Sequence, residues 1–183
     1  MLIKLTGTST HGADSAEDPI GLLLACHERI RQHLALAQRV VDAVVPSASE
    51  LSDSASSLIR YFGRALPLHH HDEQELLLPA LRKHLLPSHV DDSLSVMSAE
   101  HAVIDPAIED AIHLWRRLRD EPLQLSNLRE ELMQKTLLVS TLLLAHLERE
   151  ERDIFDPATK ILSEEEKRAL TQQMRQRRQS TSG

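Results

Sequence analysis

Apolar residues recur along this chain at helical spacing. Ile20, Leu23, Leu24, His27, Ile30, Leu34 and Val41 share one face of a first segment. Phe62, Leu66, His69, His70, Glu73, Leu76, Leu77 and Leu81 do so in a second. Leu94, Met97, His101, Ile104, Ile108, Ile112 and Trp115 form a third stripe, and Val139, Leu142, Leu143, His146, Glu150 and Ile154 a fourth. Each follows the i, i+3, i+4, i+7 rule of a core-facing helix. Four such segments joined by short breaks predict an all-α, up-down four-helix bundle.

The breaks set the boundaries. Asp18-Pro19 offers an N-cap followed by proline at the first helical position. The first helix is expected over about 19–45, with Pro46 as its stop. Ser47-x-x-Glu50 reads as a capping box opening a second helix that continues to about Leu86. Pro67 lies inside it, where its ring would clash with the Gly63 carbonyl, so a kink is expected there. The third helix is expected over about 91–119, with a possible kink at Pro106, and the fourth from Ser126 or Asn127 past Phe155. Ser163-x-x-Glu166 is a second capping box and opens a short fifth helix. The reading therefore divides the chain into a flexible leader (1–18), the bundle (19–162), and a C-terminal helix with a disordered tail (163–183).

Composition agrees with this picture and narrows the function. Gly is scarce, aromatics are 2%, and strong helix formers dominate the 183 residues. The formal charge of −7 argues against a nucleic-acid partner. One cysteine, Cys26, permits neither an internal disulfide nor a thiolate zinc site. No apolar stretch reaches the ~18 residues of a membrane span, and the start does not resemble a signal peptide, so a cytoplasmic, reduced protein is expected.

What stands out is the polar residue in the middle of every apolar stripe. His27, His69, His101 and His146 each sit there, and Glu73 and Glu150 follow two of them by one turn. The pattern repeats internally. His69 and His146 stand 77 residues apart, each with a Glu four later and a Pro beyond, while His27 and His101 stand 74 apart. Two hairpins related by a pseudo-two-fold axis would bring all four histidines to one level. A lone histidine on an apolar stripe is usually a hydrogen-bonded core residue. Several imidazoles and two carboxylates together would cost several kcal/mol each if left without partners. A cation is the simplest common partner, because His at i and Glu at i+4 can reach one ion or adjacent ions.

Imidazole plus carboxylate without thiolate suits iron, zinc or manganese. Structural zinc needs four ligands, whereas His27, His69, His70, Glu73, His101, His146 and Glu150 offer more. Two octahedral ions present twelve positions. Five histidines, two bridging carboxylates and a bridging oxo or hydroxo group fill all but one, which suits end-on binding of a small ligand such as oxygen or nitric oxide.

The motifs Cys26-His27-Glu-Arg-Ile, His69-His-His-Asp-Glu73-Gln-Glu-Leu, Glu100-His101-Ala-Val-Ile and His146-Leu-Glu-Arg-Glu150-Glu occur in this order. With them the chain resembles the hemerythrin-like, HHE cation-binding domains over about 19–160. The resemblance implies a four-helix bundle around a non-haem di-iron centre. Relatives carry or sense oxygen or nitric oxide, store iron, or help repair iron–sulfur centres. Oxygen carriers in that family have a second histidine one turn after the position of His101, where this chain has Asp105. The ferritin-like alternative would need Glu-x-x-His, and no histidine here has a glutamate three residues before it. A metal-free interaction bundle is the remaining competitor.

Other residues read as structural. His71 and Glu75 are an alternative register to His69 and Glu73 on a neighbouring face. His33, His84, His89 and His113 read as surface or supporting groups, and Cys26 as a small packing residue. The Glu148–Asp153 run, apart from Glu150, reads as a solvated face. Arg175, Arg177 and Arg178 read as charges that complement a helix C-terminus.

Overall fold

The computed structural model describes residues 18–44 and 46–180. Most of the expected leader, Val45 and the last three residues lie outside them. The described residues form helices joined by short connections, with no strand among them. They are α1 (Pro19–Asp42), α2 (Ala48–Arg60), α3 (Leu66–Asp72), α4 (Leu78–Leu81), α5 (Ser88–Asp120), α6 (Leu125–Glu150), α7 (Asp156–Ile161) and α8 (Glu164–Ser180). π-Helical turns join α2 to α3, α3 to α4 and α6 to α7, so residues 48–81 form one rod and 125–161 another. Neighbouring pairs α1–α2, α2–α5, α5–α6 and α6–α1 pack together and close the four-helix ring. The fold is the up-down bundle that the stripes predict.

The local signals act as their chemistry requires. Asp18 accepts a hydrogen bond from the Ile20 N–H at 3.2 Å. In both capping boxes the reciprocal bonds form, Ser47 with Glu50 and Ser163 with Glu166. The first helix stops at Asp42, before the expected Val45, because the chain turns extended at Ala43. The third begins at Ser88, three residues early. It runs unbroken through Pro106, since the carbonyl that Pro106 leaves free, on Ala102, lies on the exposed face.

At Pro67 the helix takes a π turn, a common site of a kink. The π turn Tyr61–Ala65 precedes the proline, with the Leu66 N–H reaching the Tyr61 carbonyl. The extra residue absorbs the crowding that a proline ring puts on the preceding turn. The same device recurs before Pro79, at Glu73–Leu77, and before Pro157, at Glu151–Phe155. Each inserted residue rotates the following face by about 100°. Leu77 is therefore fully buried while Leu76 is only half-buried.

Nearly every stripe residue is buried; Leu24, 41% exposed, falls outside the core. The core consists of two apolar clusters. One runs from Ile30, Leu66, Ile104 and Leu147 toward the α1–α2 connection. The other joins Ile20, Leu23, Leu77, Leu81, Met97, Ile154 and Phe155 to Leu170 and Met174 of α8. The fifth helix is thus longer than expected, at 17 residues, and it packs against α1 and the 73–77 turn. Between the two clusters lies a layer of buried polar side chains.

Candidate metal centre

The polar layer contains the seven residues singled out by the stripes. His27, His69, His70, Glu73, His101, His146 and Glu150 are all buried, none more than 5% exposed. α1 supplies His27, the 48–81 rod His69, His70 and Glu73, α5 His101, and α6 His146 and Glu150. Their donor atoms fall into three overlapping groups, each within 4.8 Å: His27, His69, Glu73 and Glu150; Glu73, His101, His146 and Glu150; and His70, His101 and His146. Glu73 and Glu150 belong to both four-residue groups. His71 and Glu75 are exposed, so the alternative register points outward.

Close approach does not satisfy these groups. His69 Nε2 lies 3.1 Å from Glu73 Oε1, and His27 Nε2 lies 3.3 Å from Glu150 Oε2. Yet eight buried side-chain atoms, on His27, His69, His70, Glu73 and Glu150, have no properly directed hydrogen bond. Seven of them are Nε2 or carboxylate atoms, and the eighth is His69 Nδ1. An orphaned buried polar group costs about 1–3 kcal/mol, and a domain is stable by only about 5–15 kcal/mol. A cation among these atoms would relieve the whole set, so the donor set fits a metal centre.

Charge is strained in the same place. Burial, then the Glu150 carboxylate, pushes the Glu73 carboxyl well up. Burial would pull His27 down, but Glu150 and Glu73 beside it raise it to about 10. Burial, then His27 and the other imidazoles, drives His69 well below the ordinary range. Burial, then His70 and His146, lowers His101 to about 2.

The outer nitrogens of four of the histidines are held by side chains outside the layer. His27 Nδ1 donates to Glu151 at 2.8 Å, His70 Nδ1 to Asp105 at 3.0 Å, and His146 Nδ1 to Glu100 at 2.9 Å. Gln74 lies 2.9 Å from His101 Nδ1. Such contacts orient an imidazole so that its inner nitrogen faces the site. Without a cation the proton positions follow. His146 keeps its proton on Nδ1 and donates it in the hydrogen bond to Glu100, so its bare Nε2 accepts from His101 Nε2 at 3.0 Å. His101 Nδ1 is then bare and accepts from the Gln74 amide. A cation on His101 Nε2 would require the opposite tautomer and an amide turned to present its oxygen.

Residues 18–176 match the pattern that defines the hemerythrin HHE cation binding domain. The chain belongs to this family. No curated protein and no solved structure matches it. Family membership makes this HHE domain a cation-binding protein, and the buried His/Glu clusters are where its cation would sit.

Several residues outside the expected set serve the HHE site. Glu151 holds His27 and also binds Arg31, and Arg149 pairs with Glu100, so the Glu148–Asp153 run is more than a solvated face. Asp105 is 58% exposed and stands outside the ligand groups, acting through His70. Arg177 and Arg178 do more than complement a helix end. Both pair at 2.9 Å with Asp72, whose side chain is fully buried beside Glu73. Asp72 carried no sequence signal beyond its place in the His-His-His-Asp-Glu run. His84 pairs with Glu166 at the start of α8, and His33 stacks on Tyr61. Among the described residues no helix is long and apolar enough to cross a membrane.

Proposed function

We propose that the protein holds two iron ions side by side in the polar layer and binds or reacts with a small diatomic ligand, oxygen or nitric oxide, in sensing, redox or iron handling. The observation that carries this reading is that both four-residue groups share Glu73 and Glu150. Two carboxylates common to two sets of imidazoles are what a bridged pair requires. His27 and His69 would hold one ion and His70, His101 and His146 the other, with an oxo or hydroxo bridge beside the two glutamates. Bound there, iron would supply the reversible one-electron chemistry that oxygen and nitric oxide need.

The chain's own residues set the conditions. Glu151, Asp105 and Glu100 accept the outer protons of His27, His70 and His146. A carboxylate on the outer nitrogen makes an imidazole a stronger donor, which favours a ferric ion over a ferrous one. That bias supports oxidation or sensing over reversible carriage. A cavity of about 620 Å³ between the 48–81 rod and α5 is lined by His70, Gln74 and Asp105, and would give a small ligand a path toward the layer.

The test begins with anaerobic loading by ferrous iron, where about two irons per chain are expected from the ligand count. One zinc, or no metal, would sink the dinuclear reading. Oxygen should then convert the reduced protein to a ferric product that persists when oxygen is withdrawn. An oxygenated form that returns to the ferrous state would contradict the redox reading. Asp105→His should slow the conversion, because it removes the negative charge behind His70.

A further inference from the structure

Beside the polar layer, α1, the 48–81 rod and α8 line a second cavity of about 420 Å³. Arg29, Arg60, Arg64 and Arg178 line it, together with Cys26 and His69. No acidic side chain is among its lining residues. In a chain of formal charge −7, four guanidinium groups around one cavity are out of character. Arg178 is paired with Asp72, and Arg29 donates to the Cys26 sulfur at 3.3 Å.

The floor of this cavity supplies the second observation. His69 is 2% exposed, and its Nε2 faces Glu73. Its Nδ1 therefore points away from the layer, and it is buried without any hydrogen bond. The other four layer histidines each have a protein group on Nδ1. The internal repeat accounts for the gap. His146 corresponds to His69, and the carboxylate that holds His146 belongs to Glu100. The residue that corresponds to Glu100, 74 positions earlier, is Cys26. Where one half of the bundle has a carboxylate, the other has a small thiol, an open cavity and arginines.

We propose that this cavity binds an oxyanion, the phosphate or carboxylate group of a small molecule, which accepts the His69 Nδ1 proton in the role that Glu100 plays for His146. Guanidinium forks recognise such groups by paired, charge-assisted hydrogen bonds. The bound anion would complete the outer support of the fifth histidine, so occupancy of the cavity is coupled to the geometry of the layer. That coupling, though not the anion site itself, rests on the metal-centre reading.

Inorganic phosphate titrated into the metal-free chain by calorimetry tests the site without iron to compete for the anion. Saturable one-to-one binding is expected, with movement of the His69 imidazole resonances. Arg60→Gln/Arg64→Gln removes two exposed cavity arginines and should weaken binding roughly tenfold or more. Arg82→Gln/Lys83→Gln makes the same charge change on an exposed surface outside the cavity and should leave binding intact. Cys26→Glu should supply the missing carboxylate and abolish the phosphate response. No binding, equal weakening by both double variants, or unmoved His69 resonances would overturn the proposal. Iron analysis separates the two readings. A chain that binds phosphate but takes up no iron keeps the anion site and loses the metal centre; one that takes up iron but ignores phosphate does the reverse.

Discussion

His27 Nδ1 donates to Glu151 Oε1 at 2.8 Å although the two residues stand 124 positions apart. The repeat places the same relation in the other hairpin, where Gln74 lies 2.9 Å from His101 Nδ1. Glu151 follows Glu150 and Gln74 follows Glu73, so the residue after each shared glutamate steadies a histidine of the opposite hairpin. Glu151→Ala should loosen His27 and weaken metal retention by about 10–100-fold, as loss of such outer support does. Glu148→Ala, on the exposed face, should change it little. Competition with a chelator measures both, and equal effects would show that Glu151 contributes only surface charge.

Removing the metal should lower thermal stability clearly, because an ion bound only by the folded bundle stabilises it and leaves eight buried atoms unpartnered when it departs. Glu73→Ala should cost at least one ion per chain, whereas Glu75→Ala should be nearly neutral, since Glu75 is exposed. Elemental analysis with a melting curve on each variant distinguishes them. The reverse order of effects would mean that the outward register carries the metal.

The metal-free chain should be most stable near pH 6.5. Burial keeps His69, His101 and His146 neutral in the fold, while the unfolded chain protonates them around their ordinary value of 6.5. Below that pH the unfolded state takes up protons that the folded state refuses, and stability falls. His27 works in the opposite sense. Glu150 and Glu73 override burial and hold its proton to about pH 10, so its contribution is complete below 6.5 and is lost as pH rises through 10. Urea denaturation in the presence of chelator, on both sides of pH 6.5, should trace a maximum. A steady rise toward alkaline pH would refute the His27 arm.

Arg177→Gln/Arg178→Gln should destabilise the protein by on the order of 3 kcal/mol, because it strips the paired guanidinium groups from a fully buried carboxylate. Burial already pushes the Asp72 carboxyl up against the pull of both arginines. Adding Asp72→Asn to the double variant should recover much of the loss. Chemical denaturation of the three proteins checks this, and hydrogen exchange should locate the loosening in α8. No recovery would mean that the arginines act through other contacts.

Much of this protein was determined by its sequence alone, because helical periodicity is a local property. The four stripes, both capping boxes and the polar residue within each stripe follow from spacing along one helix, and with them the seven candidate residues, although only the packed bundle turns the alternative His71 and Glu75 outward. What lay beyond spacing depended on which helices become neighbours. Glu151 on His27, Glu100 on His146 and Asp72 between two arginines of α8 are contacts between separate elements, and nothing within one helix marks those residues as different from the charges that do face solvent. The three π turns were also beyond a fixed period, since each inserts a residue and rotates the face that follows. The open Nδ1 of His69 belongs to the same class: only the packed bundle decides that no protein group reaches it and that the cavity it shares with Cys26 has no acidic lining.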